Sequence, residues 1–266
     1  DIALYAFEAV GEEKLHVVST DAESYVSDDG AVVIRATGSG DYEVALSSGE
    51  TVTKSFEVPA AYDITGWKLT VESWTPGTTL ELSEETIGDL HTVNSRVATT
   101  KTPIEVELDT LTTWDNIEEV GQSVSGLGHY EATFNWDASA ASGAYLDFGE
   151  EFTSSMKVWI NGVKVGGDIS QNPTKAQQSI VEGYEGAQEY SGGIDWNEPI
   201  VDIGAYLVDG ENTIVIEYSS NLINAVLTEG ILVESEDYNG WWNNDVKYLS
   251  YGPAQAVIVP YCEEAI

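Results

Sequence analysis

Short runs of β-branched and aromatic residues, broken at close intervals by Gly, Asp, Asn and Ser, fill most of this chain. In the first part "ALYAFEA", "KLHVVST", "AVVIRAT", "YEVAL" and "TVTKSFEV" are separated by turn-forming groups such as "DDG", "GSGD" and "SSGE". That rhythm predicts strands joined by short turns. Further along, "WKLTVESW" alternates cleanly, with Trp67, Leu69, Val71 and Ser73 on one face and Lys68, Thr70, Glu72 and Trp74 on the other. Strand-like runs follow at 104–111, 128–136, 143–149, 154–167, 212–220 and 255–261. Asn161-Gly162 lies between "KVWI" and "VKV". Both positions of a tight hairpin turn favour positive φ, so this pair predicts a hairpin. "VDGEN" marks a further turn at the head of a strand. Helical periodicity is nearly absent, and the pattern predicts an all-β fold of the sandwich kind.

Two stretches interrupt the rhythm. Pro59, in "PAAYDITGW", cannot donate to a β-ladder and suits a linker, which places a boundary there. Residues 1–58 then read as a small or partial immunoglobulin-like module and residues 59–266 as a second, larger one. The other interruption, at about 168–196, is long, polar and Gly-rich, with Tyr184, Tyr190 and Trp196 in or beside it. Loops of that length are functional or cover a sheet edge, and both readings stay open.

Composition narrows the classes of function. The chain has 266 residues, enough to bury a sizeable core. It carries 46 Asp and Glu against 10 Lys and Arg, a net charge of −36 spread without long blocks. Such a field repels phosphate backbones, and no basic stripe offsets it, so nucleic acid is excluded as a partner. Neutral sugars, cations and basic partners remain, as does the plain reading that the acid keeps an extracellular protein soluble. The single cysteine, Cys262, allows no internal disulfide and no cysteine zinc site. No apolar stretch reaches the length of a transmembrane helix, so membrane insertion is not expected. The chain opens on "DIALYAFE", which reads as mid-strand, so a fragment of a longer polypeptide is expected.

Candidate chemistry is sparse. His16, His91 and His129 have no Gly-x-Ser-x-Gly elbow to serve, and structural roles are the better reading for all three. Glycoside hydrolysis needs two carboxylates across the scissile bond. Glu150, Glu151, Asp195, Glu198, Asp202 and Asp245 are candidates, but chance pairing is expected in so acidic a chain, and no catalytic residue is assigned. A structural calcium would need clustered oxygen ligands, for which Asp237, Asn239 and Asp245 form a partial set, with Asp195, Asn197 and Asp202 as another. Sugar binding needs a flat aromatic face and amide or carboxylate partners for hydroxyls. "GWWNND" supplies Trp241, Trp242, Asn243 and Asn244, and Trp196 and Tyr190 add two more aromatics. The alternative for the Trp pair is a hydrophobic pin holding a late loop. Trp136 and Trp159 lie in strands and are expected in the core; Trp114 is left open.

The segments "SGLGHYEATFNW", "YLDFGEEFTSSMKVWINGVKVGG", "PIVDIGAYLVDGENTIVIEYSS" and "YLSYGPAQAVIVPY" occur in that order. Together they resemble the galactose-binding-like, jelly-roll sugar-binding domain of glycoside hydrolase family 2 and rhamnosidase-like enzymes. The resemblance runs from about Trp67 to Tyr261, and its tail is similar to C-terminal regions of large secreted gut-bacterial glycosidases. It implies a jelly roll after the immunoglobulin-like piece, and packing for Trp159. It also implies a non-catalytic accessory role outside the cell, binding a plant or mucin glycan beside a catalytic domain of the same polypeptide. A purely structural brace and a surface-adhesion module are the alternatives.

Overall fold

The computed structural model describes residues 15–27, 29–149, 154–165, 199–230, 238–239, 242–243 and 246–266. In chain order its strands are β1 (Val17–Ser19), β2 (Glu23–Val26), β3 (Val32–Ala36), β4 (Gly40–Leu46), β5 (Thr51–Phe56) and β6 (Tyr62–Asp63). The long pair β7 (Trp67–Ile87) and β8 (Leu90–Leu108) comes next, then β9 (Gly126–Trp136), β10 (Gly143–Asp147), β11 (Ser155–Ile160) and β12 (Val163–Lys164). The last are β13 (Ile200–Asp202), β14 (Gly210–Ser219), β15 (Tyr238–Asn239), β16 (Trp242–Asn243) and β17 (Val257–Ala265). Single-turn 3-10 helices at Trp114–Asn116 and Gly204–Tyr206 and one short α-helix, α1 (Ile223–Thr228), complete the described elements. The fold is all-β and antiparallel in every strand pair given below, as the alternation predicts.

The chain divides into two compact units that are not continuous in sequence. The first takes residues 1–62, 137–145 and 259–266; the second takes 63–136 and 146–258. The first division lies after Tyr62, and the N-terminal unit also gathers the last strand residues, which the sequence pattern alone does not announce. The reason is pairing: Cys262–Ala265 lie beside β3, and Ile266 donates its amide to Val32.

In the first unit β4 stands between β1 and β5, and β3 between β2 and the end of β17. Val32, Ile34, Ala36, Val44, Leu46 and Phe56 form its core. One polar cluster fastens its strands. The Arg35 guanidinium lies 3.9 Å above the centroid of Tyr261 and 5.4 Å from those of Tyr25 and Tyr145. It also bonds Glu263 at 2.6 Å and the Tyr145 hydroxyl at 2.7 Å. Four cation–aromatic and charged contacts on one half-buried arginine make a clamp between strands distant in sequence. Cys262, half-buried, sits near the carbonyls of Glu57 and Ala140.

In the second unit one sheet runs in the order β12-β11-β14-β9-β7-β8. Its inner face is apolar: Trp67, Leu69, Val71, Tyr130, Ala132, Phe134, Met156, Val158, Ile160, Ile214, Ile216 and Tyr218 are all buried. The Asn161-Gly162 hairpin forms as the sequence predicts, with φ of 52° and 79°. Trp114 plugs one end of this core. Its indole donates to the Tyr130 hydroxyl at 2.6 Å and meets Tyr218 and Tyr251 edge-on. A Cβ at Gly128 or at Gly252 would come within 2.8 Å of the Trp114 ring. Those two glycines, in the quoted "GHY" and "YGP" segments, are therefore the slots into which the plug fits.

Candidate functional site: the outer face of the large sheet

Alternation that buries one face of the large sheet must expose the other. The registers place these outward side chains in rows. Lys157, Glu217, His129, Thr70 and Glu105 follow one another across β11, β14, β9, β7 and β8. The next row is Trp159, Val215, Glu131, Lys68 and Glu107. Four inter-strand steps make each row about 19 Å long, enough to lie along a short oligosaccharide.

Two adjoining concavities open on this face. One, of about 430 Å³, is lined by Lys68, Thr70, Glu105, Glu107, His129 and Glu131. The other, of about 470 Å³, shares Lys68 and Glu131 and adds Thr133, Thr213 and Val215. Charges of both signs are interleaved here: Lys68 stands between Glu131 and Glu107, and Lys157 reaches Glu217 at 3.3 Å, while the His129 ring bonds Glu131 at 2.9 Å. At one margin Glu72 accepts from Lys101 at 2.9 Å and from the Trp74 indole at 2.6 Å. Those bonds, that of Lys101 first, hold the Glu72 carboxyl below its usual range. The Lys101 ammonium also lies 4.6 Å over the Trp74 ring.

Trp159 belongs to this outer face, which corrects the expectation of a core tryptophan. In β11 the buried set is Met156, Val158 and Ile160, and the half-exposed set includes Lys157 and Trp159. A period of two forces that choice once Val158 and Ile160 turn inward. "VWI" offers apolar residues to both faces, so only the register against β14 shows which one the indole takes. Trp114 lies in the core, and Trp136 is buried as expected.

Other motif residues are staples. The buried Asn212 of "GEN" accepts from the Val208 amide and donates to the Val208 and Gly210 carbonyls. The Asn161 amide bonds Asn212 at 2.8 Å and the Tyr206 carbonyl at 3.0 Å, while its oxygen receives the Thr213 amide. Asp202 caps its own turn by accepting from Gly204 at 2.9 Å. These polar side chains are spent on joining turns.

Of the residues singled out for a ligand, Trp241, Asn244, Trp196 and Tyr190 lie outside the described residues, as do Asp237 and Asp245 of the calcium set. Asn239 and Trp242 are register partners in the small hairpin of β15 and β16, where Tyr238 faces Asn243. Glu150, Glu151, Asp195, Asn197 and Glu198 also lie outside the description. Among the described residues no group of three or more His, Cys, Asp or Glu side chains could hold a metal ion. His16, His91 and His129 are exposed. Sequence reasoning missed the outer face because its members are scattered over five strands; the signal available was the polar half of each alternating run.

A rhamnosidase from Novosphingobium sp. PP1Y is similar over 99% of this chain and 26% of its own, at 14% identity and a TM-score of 0.40. A β-D-mannosidase from Dictyoglomus thermophilum is similar over 76% of this chain and 23% of its own, at 12% identity and a TM-score of 0.32. The chain thus spans about a quarter of the length of each. No family model and no curated protein matches it.

Proposed function

We propose that this chain is a non-catalytic, carbohydrate-binding accessory region of an extracellular glycoside hydrolase. The supporting observation is the outer sheet face: two joined concavities, interleaved carboxylates, lysines and threonines, and Trp159 in the same row. An indole offers a flat apolar surface to the C–H side of a pyranose, and the charged and hydroxyl groups bond its hydroxyls. The net charge of −36 favours neutral glycans over anionic ones. Trp241, Trp242, Asn243, Asn244, Trp196 and Tyr190 belong to this reading as further ligand contacts, and Asp237, Asn239 and Asp245 as ligands of a structural calcium.

Calorimetric titration with plant and mucin oligosaccharides tests the reading. Saturable binding is expected, weakened at least about tenfold by Trp159→Ala and by Glu131→Gln, roughly 1.4 kcal/mol each. Unchanged melting temperatures would separate lost binding from lost fold. No binding to any glycan would leave the structural brace and the surface-adhesion module as the remaining readings. A melting temperature that EDTA does not lower would remove the calcium.

A further inference from the structure

The Asn161-Gly162 turn joins β11 to β12, which lies at the margin of the large sheet among the described residues. Asn-Gly is also a dipeptide prone to deamidation, because glycine leaves its backbone nitrogen open to the preceding side chain. In that reaction the Gly162 nitrogen attacks Asn161 Cγ. The N–Cγ bond forms, the Cγ–Nδ2 bond breaks, and ammonia leaves with the proton of the Gly162 nitrogen. Water then opens the five-membered imide at either carbonyl, giving aspartate or isoaspartate.

The two reacting groups are held very differently. The nucleophile is open: Gly162 is exposed, and a Cβ on it would meet no atom beyond its chain neighbours within 4 Å. The electrophile is fastened. Asn161 Nδ2 donates to Asn212 Oδ1 at 2.8 Å and to the Tyr206 carbonyl at 3.0 Å, and its Oδ1 accepts from the Thr213 amide at 3.0 Å. Asn212 is itself buried and fixed to Val208 and Gly210. Expelling ammonia breaks both donated bonds, and while all three hold, the amide does not turn freely onto the Gly162 nitrogen.

We propose that Asn161-Gly162 is a deamidation site gated by folding. It is closed while the β11–β12 hairpin is paired with β14, and it opens when that margin frays. The reaction is then one-way for the fold as well as for the amide. Aspartate at 161 would turn a carboxylate oxygen, in place of an NH2 group, towards the Asn212 oxygen and the Tyr206 carbonyl, so that acceptors meet with no proton between them. Isoaspartate would also lengthen the main chain of the turn by one methylene. An opening of this margin thus leaves a permanent chemical mark that keeps it from closing again.

Mass spectrometry of the whole protein, incubated folded at mildly alkaline pH, tests this. Trypsin cuts after Lys157 and Lys164 and releases residues 158–164 with the turn inside. Conversion shows as a gain of one dalton, and the same peptide incubated alone is the unlocked reference. The folded protein is expected to convert Asn161 at least about tenfold more slowly than the peptide, and the gap should close in urea. Asn212→Ala takes away one acceptor and should speed conversion in the folded chain. Asn161→Asp should melt at a lower temperature than the parent. The first comparison uses the unaltered chain, so the test does not depend on the Asn212 variant folding. Equal rates in folded protein and free peptide would overturn the gate, and no conversion in the free peptide would overturn the site. An Asn161→Asp variant as heat-stable as the parent would overturn the permanence of the mark.

Discussion

The two ends of the β7–β8 hairpin share one pair of strands and one antiparallel ladder, yet they are opposite environments. At the base, Leu69 and Val71 are 1% and 0% exposed, with β9 alongside and the core beneath. At the tip, Leu82 is 62% exposed and Ile87 67%. Backbone pairing alone therefore says little about where stability resides. The ladder continues past the point where burial stops, and only burial of apolar area supplies a large folding term.

The sharpest contrast should come from the plug of the core. Trp114→Ala is expected to destabilise by about 3–5 kcal/mol, because it empties a slot bounded by Gly128, Gly252, Tyr130 and Tyr251. Chemical denaturation of the purified variant measures it; a loss near zero would show that the core does not depend on its plug. Next, Leu69→Ala at the base should cost about 2–5 kcal/mol. The same denaturation series would blur the contrast if a tip residue cost as much.

A smaller effect follows from pH. Burial, first among its causes, pushes the Tyr251 phenol from 10.0 up to about 12. Burial pushes Tyr130 up as well. The unfolded chain then releases these protons before the folded one. The contribution of these two phenols to stability should be constant below pH 10 and fall as pH rises towards about 12. Tyr251→Phe should reduce that fall, as alkaline melting curves would reveal. Smallest of all, Leu82→Ser combined with Ile87→Ser should change stability by no more than about 0.5 kcal/mol. A larger loss would mean that the tip is covered within this chain.

The same contrast explains what the sequence disclosed. Trp67 to Val71 alternate because one side is core and the other water, so their strand and facing were legible. The Asn161-Gly162 turn was legible because its backbone angles demand those residue types. The tip, "TTLELSEETIGDLHTVNS", was not recognised as strand. With both faces in water, nothing enforces a period of two. Trp114 lies just past β8 in a short turn with no period at all, so only the three-dimensional slot assigns it. For the candidate site, the outward residues of each strand could be listed from the sequence, but their assembly into rows depends on registers between strands far apart in the chain.

The fit of Trp114 between Gly128 and Gly252 also sets an order of events during synthesis. The Trp114 amide bonds the Tyr251 carbonyl at 2.7 Å, and the slot that Gly128 and Tyr130 begin is completed by Tyr251 and Gly252, far later in the chain. A nascent polypeptide that has already completed β7, β8, β9, β11 and β14 still lacks the segment that closes over the indole. Until Tyr251 and Gly252 clear the ribosomal exit tunnel, the half-built sheet carries an incompletely covered tryptophan, whose fluorescence would report the moment the slot closes.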